Sequence, residues 1–333
     1  MTVNADVMKP LRTWSHLAKN KRRPTEYETV STNLLWSTKR PEAPWLLGPD
    51  IALSKWYIDY RSNSRWQHED WDGFRDPDQL VYRTYNTIQD GQEAYVDGLL
   101  DDHDRNDHDF GLPGAWMPML ARYYSPGRYL IHAAQMSSNY LVALAPASTI
   151  CNCFMFQAGD QLRWVSRIAY RTAELASRKT ETEFCKTERA EWEGASAWQG
   201  FRELMERLLV TWDWAEQFFA LNVIAKPAID AAYLRQFGFY ARRNGDALTG
   251  LLADAQIIDS ERSKRWTRAL VEYAFTSAAA DNRQVANEWS AKWTPFGDRA
   301  MAAFLRSLPN GEALLAAARH ETSLFRTDLG LSA

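Results

Sequence analysis

The five residues Asp160-Gln161-Leu162-Arg163-Trp164 keep the spacing of a metal-binding helix but not its ligands. A glutamate at 161 and a histidine at 164 would form a Glu-x-x-His pair on one helix face, the half-site that helical dinuclear iron centres use twice. Position 161 instead holds a neutral amide, which brings no charge to balance iron. Position 164 holds an indole, whose nitrogen has no lone pair to offer a metal. The six histidines, His16, His68, His103, His108, His132 and His320, follow Thr13, Arg65, Leu100, Arg105, Tyr129 and Ala317 at the required three-residue spacing. No Glu-x-x-His therefore occurs, and a dinuclear site needs two, plus two further helical glutamates. His132, alone within a helical stretch, reads as a core or interface histidine. The chain is not a di-iron catalyst by itself.

Other chemistries are excluded as directly. No two of the 16 glycines stand two apart, so there is no G-x-G dinucleotide fingerprint, and neither a P-loop nor a G-x-S-x-G elbow is present. Cys151-Asn152-Cys153 lacks the second Cys or His pair of a structural zinc site and reads as small hydrophobic packing. The net charge of −3 gives no general attraction to nucleic acid or to an anionic membrane, and the run Lys19-Asn20-Lys21-Arg22-Arg23 reads as a solvated face. The apolar stretch at 141–156 is interrupted by Pro146, Ser148, Thr149 and Asn152 and is no membrane span. Three cysteines and a start without an apolar h-region place the expected compartment in the cytoplasm.

The elements that must position these residues are helices. Asp76 and Pro77 read as an N-cap and first helical position, after which Val81, Tyr85, Ile88, Tyr95 and Leu99 recur on one helical face. Further helical stretches are expected near 115–145, 147–178, 198–222, 223–243, 246–278 and 281–307. Strand-like alternation is nearly absent. Residues 1–75 differ: they hold five of 13 prolines and six of 15 tryptophans, without sustained helical periodicity. The division is therefore an extended, irregular N-terminal arm over 1–75 and a helical domain over 76–333. The arm has too little chain to bury Trp14, Trp36, Trp45, Trp56, Trp66 and Trp71 on itself and is expected to lie on a partner, with Trp14 and Trp45 as interface anchors.

A family resemblance then becomes specific. The stretches RTWSHLA (12–18), RPTEYE (23–28), DPDQLVYRTYN (76–86), QDGQEAYV (89–96), APASTICNC (145–153), DQLRW (160–164), AYRT (169–172) and WQGFREL (198–204) run in order along the chain. Together they resemble the β subunit of the hydroxylase component of bacterial multicomponent di-iron monooxygenases, nearest the toluene and alkene (isoprene-type) branch. The resemblance implies an all-α, ferritin-like long-helix bundle without metal ligands. It implies a non-catalytic subunit that scaffolds a di-iron α subunit in NADH- and O2-dependent hydroxylation or epoxidation. Catalytic, cofactor-binding and metal residues are then expected to be absent from this chain. The implied partners are hydroxylase α and γ subunits in a dimer of αβγ units, with an effector protein and a Rieske-type ferredoxin docking on the complex. On this reading DQLRW is a metal helix emptied of metal. Asp160 and Arg163 would pair along the helix, and Trp164 would fill the vacated volume. Trp164 and Trp198 are both expected to be buried. The tail after about 305 matches nothing in the resemblance. The competing reading is a freestanding helical interaction module.

Overall fold

Helix boundaries in this chain are set by short polar side chains and by backbone that only certain residues tolerate. In a computed structural model describing residues 22–34, 50–178 and 183–331, every regular element is helical. The first part holds α1 (Glu26–Ser31) and α2 (Ala52–Tyr57), the latter continued by a π turn over Ile58–Ser62. The body then runs through α3 (Tyr82–Arg105), α4 (His108–Gly111), α5 (Trp116–Met119), α6 (Gly127–Leu144) and α7 (Ser148–Arg178). It continues with α8 (Glu188–Gly194), α9 (Ser196–Leu209), α10 (Trp214–Phe218), α11 (Lys226–Ile229) and α12 (Phe237–Arg243). The last elements are α13 (Ala247–Ala274), α14 (Asn282–Arg306) and α15 (Gly311–Asp328).

Asp213, Asp246 and Asp281 each accept a backbone N–H of the first turn of α10, α13 and α14. Thr25 and Glu28 close a reciprocal capping box on α1. α6 lies along α7, α9 along α14, and α3 leans across α7 and α13. Between them runs a stretch that is almost wholly buried over 214–234, in which π turns over Phe219–Ala225 and Asp230–Gln236 flank α11. No helix among the described residues is long and apolar enough to cross a membrane.

Several sequence expectations need correction. The helix expected from Asp76 starts at Tyr82; the Asp76 carboxylate instead accepts the N–H groups of Asp78 and Leu80 at 3.0 and 3.1 Å, capping a turn. The expected break between 222 and 223 is absent. Pro227 has no N–H to give, and the π turn before it widens the ladder so that the helix passes through. The break falls at Val210–Asp213, where Asp213 starts a new helix. The tail that matched nothing is α15, entered through Asn310 at φ 59° and packed on α14.

The arm is the largest correction. Trp14, Trp36 and Trp45 lie outside the described residues, but the described tryptophans before 75 pack on the chain's own body. Trp66 is 0% exposed, packed in tilted and edge-on contacts among Phe218, Phe275 and Trp289, and its indole N–H donates to the Asn282 carbonyl at 3.0 Å. Asn282 answers with its side chain, accepting from the Gln67 N–H at 3.1 Å and donating to the Gln67 carbonyl at 2.8 Å. Trp71 meets Trp214 edge-on at 5.1 Å, and Trp56 donates to the Tyr140 hydroxyl at 3.0 Å. An indole has both a large apolar face and an N–H, and the body satisfies both.

Trp198 is fully buried against Phe201, Tyr233 and Phe304, and donates to the Arg122 carbonyl at 2.9 Å. Trp66→Ala should destabilise the chain by about 3–5 kcal/mol, as for large aromatic truncations in cores. Chemical denaturation would check this; a loss below about 1 kcal/mol would mean that the segment around Trp66 is not part of the core.

Candidate functional site: a ligand-free bundle centre

α7 carries Gln157, Asp160, Gln161 and Trp164 inward as a buried stripe, and α13 presents Asp259, Ser260, Arg262 and Ser263 in the same way. Asp160 and Arg163 do not pair along α7. Arg262 of α13 binds Asp160, and Arg163 of α7 binds Asp259, so the two helices exchange salt bridges. Both carboxylates are less than a tenth exposed, where Coulomb attraction is less screened, and Arg262 also reaches Asp259 of its own helix at 3.4 Å. Arg163 also holds Glu93 of α3 at 3.0 Å.

α3 closes the group. The Gln89 amide donates to Asp160 at 2.9 Å and to Asp259 at 3.0 Å, bridging the two carboxylates. The Tyr85 hydroxyl donates to Asp160 at 2.9 Å. Trp164 is 4% exposed, and its indole N–H donates to Asp259 at 2.9 Å, so it is bonded as well as packed. Ser138 of α6 donates to the Gln161 carbonyl oxygen at 2.8 Å. Gln157 and Asn222 exchange amide hydrogen bonds at 3.0 and 3.1 Å, and Asn222 also donates to Thr267 at 2.9 Å.

The electrostatics follow from burial. Burial and the neighbouring Asp259 push Asp160 up to about 7, against the opposing pull of Arg262 and Tyr85. Burial holds Lys226 below the usual lysine range, while Asp230, Asp160 and Asp259 draw it back up. Asp230 accepts the Ser260 hydroxyl at 2.7 Å and faces Lys264 at 3.5 Å. Burial also raises the Cys151 thiol to about 12 and the Cys153 thiol well above its ordinary value, as expected of thiols packed in an apolar interior.

These residues do not fit a dinuclear iron centre. The Gln161 side chain is a neutral amide whose oxygen accepts from Ser138 and whose nitrogen is buried without a partner, the indole of Trp164 is a donor only, and Arg163, Arg262 and Lys226 surround the spot with positive charge. Among the described residues, no group of three or more His, Cys, Asp and Glu could hold a metal ion. His132 is exposed on α6, His68 stacks on Tyr273, and His108 pairs with Asp246. Sequence reading singled out α7 and missed α13 and Gln89. The repeated Asp-x-x-Arg spacing at 160/163 and 259/262 was the available signal. The proposed anchors Trp14 and Trp45 lie outside the described residues.

Comparison with known proteins agrees with this geometry. The family model for methane, phenol and alkene hydroxylases matches residues 56–278. The chain is 47% identical over 300 residues to the hydroxylase component subunit beta of the toluene-4-monooxygenase system of Ectopseudomonas mendocina, covering 90% of this chain and 91% of that one. It is 25% identical over 300 residues to the hydroxylase component small subunit of propane 2-monooxygenase from Gordonia sp. (strain TY-5), covering 85% and 77%. A chain in the solved structure of toluene 4-monooxygenase with toluene bound in the resting active site superposes with a TM-score of 0.85. That match has 45% identity and covers 92% of this chain and 98% of that one.

The raised Asp160 sets a pH dependence. Its folded value of about 7 lies above the ordinary 3.8, so within that window the folded chain keeps a proton that the unfolded chain has released. Stability is therefore expected to fall as pH rises from about 4 to 7. Thermal unfolding across this range, compared between the parent and Asp160→Asn, isolates the effect. The parent should lose stability relative to the variant as pH rises; a relative gain would contradict the assignment.

Proposed function

The chain belongs to the methane, phenol and alkene hydroxylase family, and from that we propose that it serves as the non-catalytic β subunit of a multicomponent aromatic or alkene monooxygenase hydroxylase. The observation that carries the reading is the filled bundle centre. Where a catalytic subunit would need carboxylates and imidazoles, Gln161 and Trp164 are hydrogen-bonded to Ser138 and Asp259. Identity over nine-tenths of the chain to a hydroxylase β subunit supports the same role.

In this proposal the di-iron site, with its NADH- and O2-dependent hydroxylation or epoxidation, resides in an α subunit. The assembly is a dimer of αβγ units, on which an effector protein and a Rieske-type ferredoxin dock. This chain supplies a rigid helical body that holds α in place. The segment before 75 is its arm. Because Trp56, Trp66 and Trp71 are anchored on the body, the part reaching onto α is narrowed to the residues around Trp14 and Trp45, the proposed anchors. Aromatic anchors suit such an interface, where a few buried tryptophans carry most of the association energy.

Two measurements test this. Purified by itself, the full chain should hold well under one iron; about two per chain, with the spectrum of an oxo-bridged pair, would overturn the role. Co-expressed with the α and γ chains of its hydroxylase, it should purify as a complex. Deletion of residues 1–21 should leave helix content nearly unchanged by circular dichroism while strongly weakening the complex. Trp14→Ala or Trp45→Ala should cost about 2 kcal/mol or more of association each. Full-affinity assembly of the truncated chain would show that residues 1–21 do not reach the partner.

A further inference from the structure

Every exposed residue of α7 is uncharged. Met155, Leu162, Ser166, Tyr170, Ala173 and Ser177 follow one another by seven, four, four, three and four residues, which lays them in one stripe along the helix. The charges of α7 are turned aside and paired within the chain: Arg163 and Arg167 hold Glu93, Arg171 and Arg178 hold Asp109, Arg262 holds Asp160, and Glu174 faces Arg171. α6 runs antiparallel beside α7, with Ser138 meeting Gln161 and, just before α6, Ser125 meeting Thr172. The exposed residues of α6 are His132, Met136, Asn139 and Ala143, again without a carboxylate, lysine or arginine. Of the two roles its sequence position allowed, core or interface, His132 keeps only the second. The neighbouring α3 shows the ordinary pattern, with Arg83, Asp90, Asp97, Asp101 and Asp102 all exposed.

The uncharged face is large enough to bind a protein. Leu162 is 51% and Tyr170 56% exposed. At 1.5 Å per residue, Met155 to Ser177 spans about 33 Å, and two packed helices are about 20 Å across, so the face covers about 700 Å². A stable interface takes about 800 Å² from each partner, and contiguous apolar surface on this scale marks an interaction site. The spacing also shows what fits. Ser166 stands at the middle of the stripe, with the large Leu162 and Tyr170 four residues to either side and the small Gly159 and Ala173 seven to either side. A two-fold axis through Ser166 would bring α7 close to an antiparallel copy of itself at the serine and seat Leu162 of one copy against Tyr170 of the other. A two-fold contact also sets like charges near its axis against each other, and this face has none to repel.

We propose that the α6–α7 face is an isologous docking surface for a second copy of this chain, centred on Ser166. The pairing follows from exposure, charge and spacing on this chain alone and does not rest on the subunit role.

The test uses the full chain by itself. It should sediment as a dimer at micromolar concentration. Leu162→Glu and Tyr170→Glu, both at exposed positions, should keep the circular dichroism of the parent and raise the dimer dissociation constant roughly tenfold or more, since each buries an unpaired charge in the contact. Cysteine cross-linking locates the axis. With the exposed Cys185 changed to serine, Ser166→Cys oxidised by diamide should give a disulfide-linked dimer, the two thiols passing two electrons and two protons to the diamide. Ser177→Cys, eleven residues from the axis, should remain uncross-linked under the same conditions. A monomeric parent overturns the proposal, as does a dimer indifferent to both glutamates or one that cross-links as readily at 177 as at 166. Should the cysteine at 166 be shielded from maleimide only when the other hydroxylase chains are added, the face belongs to a different partner and the second-copy assignment is wrong.

Discussion

Two buried salt bridges exchanged between α7 and α13 are the constraint around which the bundle is organised. Taking a carboxylate or a guanidinium out of water costs several kcal/mol per ion, and only close, well-bonded pairing offsets it. Asp160 and Asp259 each have a guanidinium partner and share the Gln89 amide, while Tyr85 and Trp164 take further lone pairs. Such a group tolerates very little movement. Sliding either helix by a turn would leave a buried charge without its partner, a loss of about 3–5 kcal/mol. The register of α3, α7 and α13 is therefore fixed by electrostatics, and the apolar packing forms around it.

Aromatic side chains extend that rigidity outward. Trp66 connects the segment before α3 to α14, Trp56 connects α2 to α6, and Trp198 joins α9 to the core beneath. Each ring buries a large face and gives its N–H to a fixed oxygen, so each stiffens a connection that helical packing alone would leave loose. For the proposed role of holding a catalytic partner, stiffness is the functional property. A partner docked on this chain inherits a surface whose shape is set by buried charges and buried indoles.

Much of this was legible in the sequence. The Glu-x-x-His frame at 161 and 164 was recognisable because helical spacing is strict, and the replacements by Gln and Trp were chemically decisive. The burial of Trp164 and Trp198 was expected from the family resemblance, and the long helices α6, α7, α13 and α14 from periodicity. What escaped were contacts between residues far apart in sequence. Arg163 lies three residues from Asp160, yet it pairs with Asp259, nearly a hundred positions on, and local spacing carries no record of that choice. Trp66 looked unpartnered because its partner, Asn282, is 216 residues away. A break was expected between 222 and 223, just before Pro227, whose ring removes a donor; the π turn that absorbs the loss has no simple sequence mark. α15 was missed because no resemblance covered it, although its amphipathic spacing was present.

We propose that the bundle formed by α3, α6, α7 and α13 is a structural element without metal, and that the iron of the hydroxylase lies in a partner subunit. Anomalous scattering at the iron edge, from crystals of the assembled hydroxylase, tests this most directly, since it locates every iron independently of the fold. The account predicts strong peaks inside the partner subunit and none between α7 and α13 of this chain. An iron peak beside Gln161 and Trp164 would contradict it.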